Sequence, residues 1–352
     1  MNVIIKHNES TNVTDSKNDR PKVVFIAGTP RSGSTLLGNA LGEMAGCFHG
    51  GELSFIFGQF DGENRICGCG HTIDECAAGA HGSGELRPWC PRICGCGKIL
   101  QKCDLWQAIQ QEALGAEFSS RDMPELGRFT SAGMKYRPKS LLSMRSKSRI
   151  PQADGSSAKM YAEALGDLYR AAAKVTGAQT IIDSSKLAMH VDLGANFSGL
   201  EAHVIHLVRD PRALAHNWDR RNNVEGISKP YRVAVHWLAS NLVVQGLDRR
   251  GSATGFTRLR YEDFVRAPRS TLERLGQEIG VDGGSLPFLD ATTLHMEVNH
   301  GVAGSGSRFK VGDVKLVPDE EWRRQMSRRD LMQATVLTAP LLRRYGYSLR
   351  VR

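Results

Sequence analysis

The chain has no run of the roughly 18–20 consecutive apolar residues that a bilayer-spanning helix requires. Its opening stretch, Met1 to Arg20, is polar and lacks the apolar centre of a secretory signal. These two absences set a cytoplasmic protein without a membrane partner as the expectation. Dense Lys/Arg blocks interleaved with aromatics are also missing, and aromatic residues make up only 7% of the chain, so nucleic acid is set aside as a partner. Charge of one sign is the scarcer: 37 acidic residues face 46 basic ones, a net charge of +9. Such a surplus attracts anions, here a phosphate-rich cofactor or an acidic substrate.

What is present is ordinary for a globular protein. Hydrophobic residues make up 41% and charged residues 24% of 352 positions, enough for a large core. Residues 1–20 read as a disordered tail. Residues 21–352 read as a single domain with a Cys-rich insertion at about 60–110, and the α/β rhythm stays interrupted to about residue 150. Outside that stretch, apolar runs at 22–28, 179–183, 203–209 and 256–261 predict strands. Helices are predicted over 33–44, 231–247 and 268–279, with two more in 318–345. This alternation predicts an α/β fold with a mostly parallel central sheet flanked by helices, whose ligands gather at the carboxyl ends of the strands.

One of those ends carries a phosphate loop. The run Val23-Val24-Phe25-Ile26-Ala27 leads straight into Gly28-Thr29-Pro30-Arg31-Ser32-Gly33-Ser34-Thr35. Backbone N–H groups at a helix N-terminus, left uncovered by the glycines, hold an anion. Against the nucleotide-triphosphate pattern G-x-x-x-x-G-K-[ST], the glycines and Thr35 are in place, but Ser34 stands where the lysine belongs and the cation is Arg31. The displacement argues against ordinary ATP or GTP hydrolysis.

A second anion corner follows the strand His203–Val208. Arg209 ends it, Pro211 suits a helix start, and Asn217 and Arg221 lie one helical turn apart. Arg209, Asn217 and Arg221 can thus converge on one phosphate, which the planar arginine fork grips bidentately. The competing reading pairs Arg209 and Arg212 with Asp210 and other surface acids.

Together the two corners resemble the sulfotransferases that use 3′-phosphoadenosine 5′-phosphosulfate (PAPS), a P-loop-like fold. Pro30 to Leu37 is similar to their 5′-phosphosulfate loop, and Leu207 to Asn217 to their 3′-phosphate motif. The likeness covers about 22–60 and 179–347. It implies that Arg31, Ser32, Gly33, Ser34 and Thr35 cradle the 5′-phosphosulfate and that Arg209 and Asn217 hold the 3′-phosphate, although the family usually has serine at the latter position. Arg221 matches an arginine of the tyrosylprotein branch that reaches the nucleotide. Tyr261 resembles a tyrosine lying against the nucleotide. Gly304 to Lys310 resembles a mobile loop closing over the cofactor, with Arg308 as the first contact and Ser305, Ser307 and Lys315 behind it.

The resemblance implies in-line transfer of a sulfuryl group to a hydroxyl, or second to an amine, of a small-molecule or carbohydrate acceptor. A cation near the developing charge lowers that barrier. Arg31 is placed for this, and Lys186 in Asp183-Ser184-Ser185-Lys186 is a second candidate, unless it is a solvent-facing lysine at a helix start. Glu52 lies twenty-one residues after Arg31, the spacing of the tyrosylprotein sulfotransferases' catalytic glutamate, and is the candidate base, with His49 and His216 as alternatives. No divalent metal is required for the transfer, and Asp183 is the one candidate partner for Mg²⁺. The competing functions are a P-loop kinase or NTPase, and a non-catalytic binder of anions or glycans on the same fold. The acceptor's identity and the oligomeric state are not legible.

Six of the eight cysteines form a doubled element. Ile66-Cys67-Gly68-Cys69-Gly70 with Cys76 recurs as Ile93-Cys94-Gly95-Cys96-Gly97 with Cys103, twenty-seven residues on, and Cys90 lies between. Bacterial sulfotransferase-like sequences often show one such element in this region. Clustered thiols in a chain without secretion signals point to structural zinc, with His71 and His81 as further ligands, or else to disulfides or free thiols.

Overall fold

The computed structural model describes residues 21–58, 93–114, 155–197, 199–220, 229–282 and 286–350. Its centre is a five-stranded sheet in the order β2-β3-β1-β4-β5, every neighbouring pair parallel. The strands are β1 (Lys22–Gly28), β2 (Cys47–Gly51), β3 (Thr180–Lys186), β4 (Glu201–Val208) and β5 (Gly255–Arg260). β1 is central because nearly all of it is apolar. Val23, Phe25 and Ala27 join one core, and Val24 and Ile26 the core on the opposite face. Each such Val, Ile or Phe contributes about 1.5–3 kcal/mol when fully buried.

Helices cover both faces. Against Val24 and Ile26 lie α1 (Ser34–Gly42) and, from the second half of the chain, a short helix at Tyr261–Arg266 and a longer one at Pro268–Ile279. The other face is covered by α2 (Asp104–Leu114), α3 (Gly155–Thr176), α4 (Ala188–Phe197) and a long helix at Pro230–Arg250. In chain order, α5 is Pro211–Arg220, α6 is Pro230–Arg250, α7 is Tyr261–Arg266 and α8 is Pro268–Ile279, followed by α9 (Trp322–Gln325) and α10 (Arg328–Arg344). Proline opens α5, α6 and α8, where its missing N–H has no partner to lose. An antiparallel pair, β6 (Thr293–Met296) and β7 (Gly312–Lys315), packs beside α1.

β3 runs three residues past the predicted strand, to Lys186, which stands at a strand end rather than, as in the competing reading, at a helix start. The described part of the Cys-rich stretch is also packed into the main core, with Trp106 and Ile109 of α2 fully buried against the β1 face. The first cysteine element, Cys90, His71, His81 and Arg221 lie outside the described residues.

Candidate functional site

The site lies at the carboxyl ends of β2, β3, β1 and β4. After β1 the chain turns through Arg31, in the left-handed region at φ 69°, to Gly33 at φ 95°, the N-cap of α1. Gly33 has no side chain to cap that helix, which leaves the N–H groups of its first turn without an N-cap acceptor. Ser32 Oγ is buried and makes no hydrogen bond. Gly33 is required twice over, since a Cβ there would meet the Tyr261 ring at 2.5 Å.

The second corner is in direct contact with the first. Arg209, one residue beyond β4, donates from Nη1 to the Arg31 carbonyl oxygen at 3.1 Å. Its guanidinium lies 4.4 Å over the centre of the Tyr261 ring, and its buried Nε makes no hydrogen bond. Nη2 donates to Asp319 Oδ2 at 2.9 Å, and Asn217 of α5 donates to the same oxygen at 2.9 Å. The two residues expected to share a phosphate thus share a carboxylate oxygen. Burial raises the Asp319 pKa, but Asn217 and Arg209 more than reverse this and hold it below the ordinary carboxylate range. Arg212 pairs with Asp210 at 2.7 Å, so in this structure both arginines are paired with acids, as the competing reading of this segment had it.

Glu52 follows β2 and Lys186 ends β3, an adjacent strand. Their side chains form a buried ion pair between Oε1 and Nζ. The Glu52 backbone hangs from residue 302: its N–H donates to the Val302 carbonyl at 2.7 Å, and the Val302 N–H donates to the Gly50 carbonyl at 2.9 Å. Beyond Val302 the chain passes over the phosphate loop. Ser305 N–H donates to Thr35 Oγ1 at 3.1 Å, and a Cβ on Gly304 would lie 2.8 Å from that oxygen and 3.5 Å from Glu52 Oε1. Asn39 of α1 also holds this loop, through the Ser307 carbonyl at 3.1 Å.

The remaining candidates are distributed differently. Arg308 is fully buried and donates to the carbonyls of Gly304 at 3.0 Å and Ile93 at 3.4 Å. It braces the loop from within. Ser305 is exposed and Ser307 half-buried, their hydroxyls 2.6 Å apart, and Lys315 is exposed on β7. His49 is buried between Asn39 Oδ1 at 2.9 Å and Ser184 Oγ at 3.1 Å, and burial lowers its pKa to about 4. Both of its ring nitrogens are thus engaged away from Glu52. His216 is buried on α5, where its Nε2 makes no hydrogen bond.

Asp183 is fully buried. Tyr169 donates to it at 2.6 Å, His190 lies at 2.8 Å, and the Ser185 hydroxyl and N–H also bind it. Burial opposes its ionisation, yet His190 and these donors lower its pKa. A carboxylate so enclosed has no oxygen left for Mg²⁺.

Two features were missed from the sequence. Asp319 carries no local signal, because only the folded chain brings it to residues 102 and 110 positions earlier. The other is backbone strain. Among the described residues, three non-glycines have positive φ: Arg31 (69°), Lys186 (67°) and Ala303 (55°). All three flank the site, and strain of this kind persists where the surroundings enforce it.

No protein-family model matches the chain, and no curated protein matches it. Among solved structures, the sulfotransferase domain from the Synechococcus PCC 7002 olefin synthase is 20% identical, with 97% of this chain and 100% of that chain covered and a TM-score of 0.47. The sulfotransferase domain from the curacin biosynthetic pathway is 15% identical, with 94% and 99% covered and a TM-score of 0.44. Sulfotransferase STF9 from Mycobacterium avium is 13% identical, with 96% and 80% covered and a TM-score of 0.40.

Proposed function

We propose that the chain is a sulfotransferase that moves the sulfuryl group of PAPS to a hydroxyl of a small-molecule or carbohydrate acceptor. One observation carries this reading. The Arg209 guanidinium touches the Arg31 carbonyl and shares an anionic oxygen with Asn217, so two phosphate-type corners 178 residues apart in sequence adjoin. A ligand with phosphoryl groups at both the 5′ and the 3′ positions of one ribose suits such a pair, whereas ATP carries all its phosphates on the 5′ position. The buried unpartnered Ser32 Oγ and Arg209 Nε add donors that such a ligand would satisfy.

In this reading Arg31 to Thr35 hold the 5′-phosphosulfate, Arg209 and Asn217 the 3′-phosphate, and Tyr261 the space between. Arg221 joins the 3′ end. Arg308, with Ser305 and Ser307, keeps the covering loop in place. The acceptor oxygen attacks sulfur, the bond from sulfur to the bridging phosphate oxygen breaks, and that oxygen leaves with the electron pair. Glu52 takes the acceptor proton. Protonation neutralises its carboxyl, which frees the Lys186 ammonium to face the charge growing on the leaving oxygen. The ion pair thereby couples proton removal to charge stabilisation within one buried contact.

The test is calorimetric titration with 3′-phosphoadenosine 5′-phosphate beside ATP, followed by sulfate-transfer assays from PAPS across an acceptor panel. The expected result is binding of the bisphosphate at least about tenfold tighter than ATP, a difference of about 1.4 kcal/mol, lost in Arg209→Ala. Equal or tighter binding of ATP would move the reading to a kinase or NTPase. Bisphosphate binding without turnover on any acceptor would leave a binding protein.

A further inference from the structure

Behind the covering loop, away from the nucleotide corners, lies a cluster the proposed transfer does not use. The Sγ atoms of Cys94, Cys96 and Cys103 and Nδ1 of His300 all lie within 4.8 Å of one another. Individual separations are 3.8 Å for Cys96–Cys103, 3.5 Å for Cys94–His300 and 3.3 Å for Cys103–His300. A tetrahedral zinc with Zn–S of about 2.3 Å and Zn–N of about 2.0–2.1 Å sets ligand edges of about 3.8 Å between sulfurs and about 3.5–3.6 Å between sulfur and nitrogen. Two of the three separations fall on those edges, the third is about 0.2 Å short of its edge, and the whole set lies within 4.8 Å. A disulfide does not fit, since it needs sulfurs at about 2.05 Å.

The backbone supports the same geometry. Cys94 and Cys96 sit in a tight turn, with the Cys94 N–H donating to the Lys98 carbonyl at 2.9 Å and the Gly97 N–H to the Cys94 carbonyl at 2.9 Å. Cys103 ends a 3₁₀ turn at Leu100–Lys102, just before α2. His300 is anchored by its carbonyl, which accepts from Trp106 Nε1 at 2.7 Å, and the Gly95 N–H donates to the Gly301 carbonyl at 3.0 Å. Three thiols and one imidazole, with no position left for water, form a closed and therefore structural site; soft sulfur ligands in a tetrahedron select zinc.

We propose that Cys94, Cys96, Cys103 and His300 bind one zinc ion, and that this ion fastens the segment holding Glu52 and covering the phosphate loop. The link is short. His300 lies two residues before Val302, which pairs with Gly51 on one side and Cys94 on the other, and whose carbonyl holds the Glu52 N–H. Ser305, three residues further, holds Thr35. The ion is thus a positioning element for both. Metal binding stands apart from the proposed activity; only a consequence for turnover rests on that reading.

The experiment uses the full chain purified under reducing conditions. Bound metal is measured by plasma mass spectrometry in the wild type, Cys94→Ser, His300→Ala and His300→Cys, and cobalt(II)-reconstituted protein is examined by absorption spectroscopy. We expect Cys94→Ser and His300→Ala each to lose one zinc equivalent relative to the wild type, whatever the first cysteine element holds. His300→Cys keeps that equivalent, and its cobalt spectrum shifts toward all-thiolate coordination. Unchanged metal content in both Cys94→Ser and His300→Ala overturns the site, as does a Cys96–Cys103 disulfide in peptide maps of the wild type. Amide exchange tests the fastening: chelation should speed exchange at Val302, Glu52 and Ser305 roughly tenfold or more. Metal loss without that change overturns the positioning role and leaves the sulfuryl-transfer reading untouched.

Discussion

Arg209 and Asn217 donate to one and the same atom, Oδ2 of Asp319, each at 2.9 Å. Their donors come from a strand end and the facing side of the helix that follows it, so convergence on a single oxygen is built into the backbone. Under the proposed function Asp319 occupies the position of the 3′-phosphate oxygen, and two negative groups cannot share it.

Asp319→Asn removes the competing charge while keeping the shape. The bisphosphate should bind roughly tenfold tighter to this variant, about 1.4 kcal/mol, by isothermal titration. Weaker binding would show instead that Asp319 serves to orient Arg209. The free variant should also melt earlier, since it loses a charge-assisted contact to an arginine that is nearly buried.

The Glu52–Lys186 pair is open to a double-mutant cycle. Lys186→Met strands a carboxylate that is 12% exposed and should cost roughly 3–5 kcal/mol in urea unfolding. Glu52→Gln should abolish turnover while bisphosphate affinity stays within a few-fold of wild type. Glu52→Gln combined with Lys186→Met should cost clearly less than the sum of the single changes; strict additivity would show that the two side chains are not energetically paired.

Acid sensitivity follows from two histidines. Burial lowers the pKa of both His49 and His206 from 6.5 to about 4. Between those values the unfolded chain binds protons that the folded one does not, so stability is full above pH 6.5 and falls as pH drops toward 4. Each histidine accounts for roughly 3 kcal/mol of that loss. Urea midpoints measured at pH 7 and near pH 4.5 should differ less in His49→Gln than in the wild type. An identical difference would count against His49.

What the sequence made legible was local. Gly28 to Thr35 announces its own loop, and Arg209 follows an unbroken apolar strand, so both corners were visible with their residues. β2 was not, because Cys47-Phe48-His49-Gly50-Gly51 shows neither alternation nor an apolar run, and it is held in place by pairing with β3. α3 was passed over although Tyr161, Leu165, Leu168 and Tyr169 recur at helical spacing and are buried; the signal was there. His300 was invisible for another reason. It lies 197 residues from Cys103, and no pattern within either segment refers to the other. Lys186 and Glu52 were each read as candidates, but their pairing across 134 residues was not legible.

β1 stands at the middle of the sheet with β3 and β4 hydrogen-bonded on either side. Lys186, the Gly28–Thr35 turn and Arg209 therefore issue from three successive rungs, each spaced about 4.8 Å from the next. The span between the grips at either end of a ligand is consequently fixed by the stiffest ruler in the molecule. Under the proposed function, remodelling the surrounding loops can change which acceptor enters, but not the spacing between the two phosphate grips.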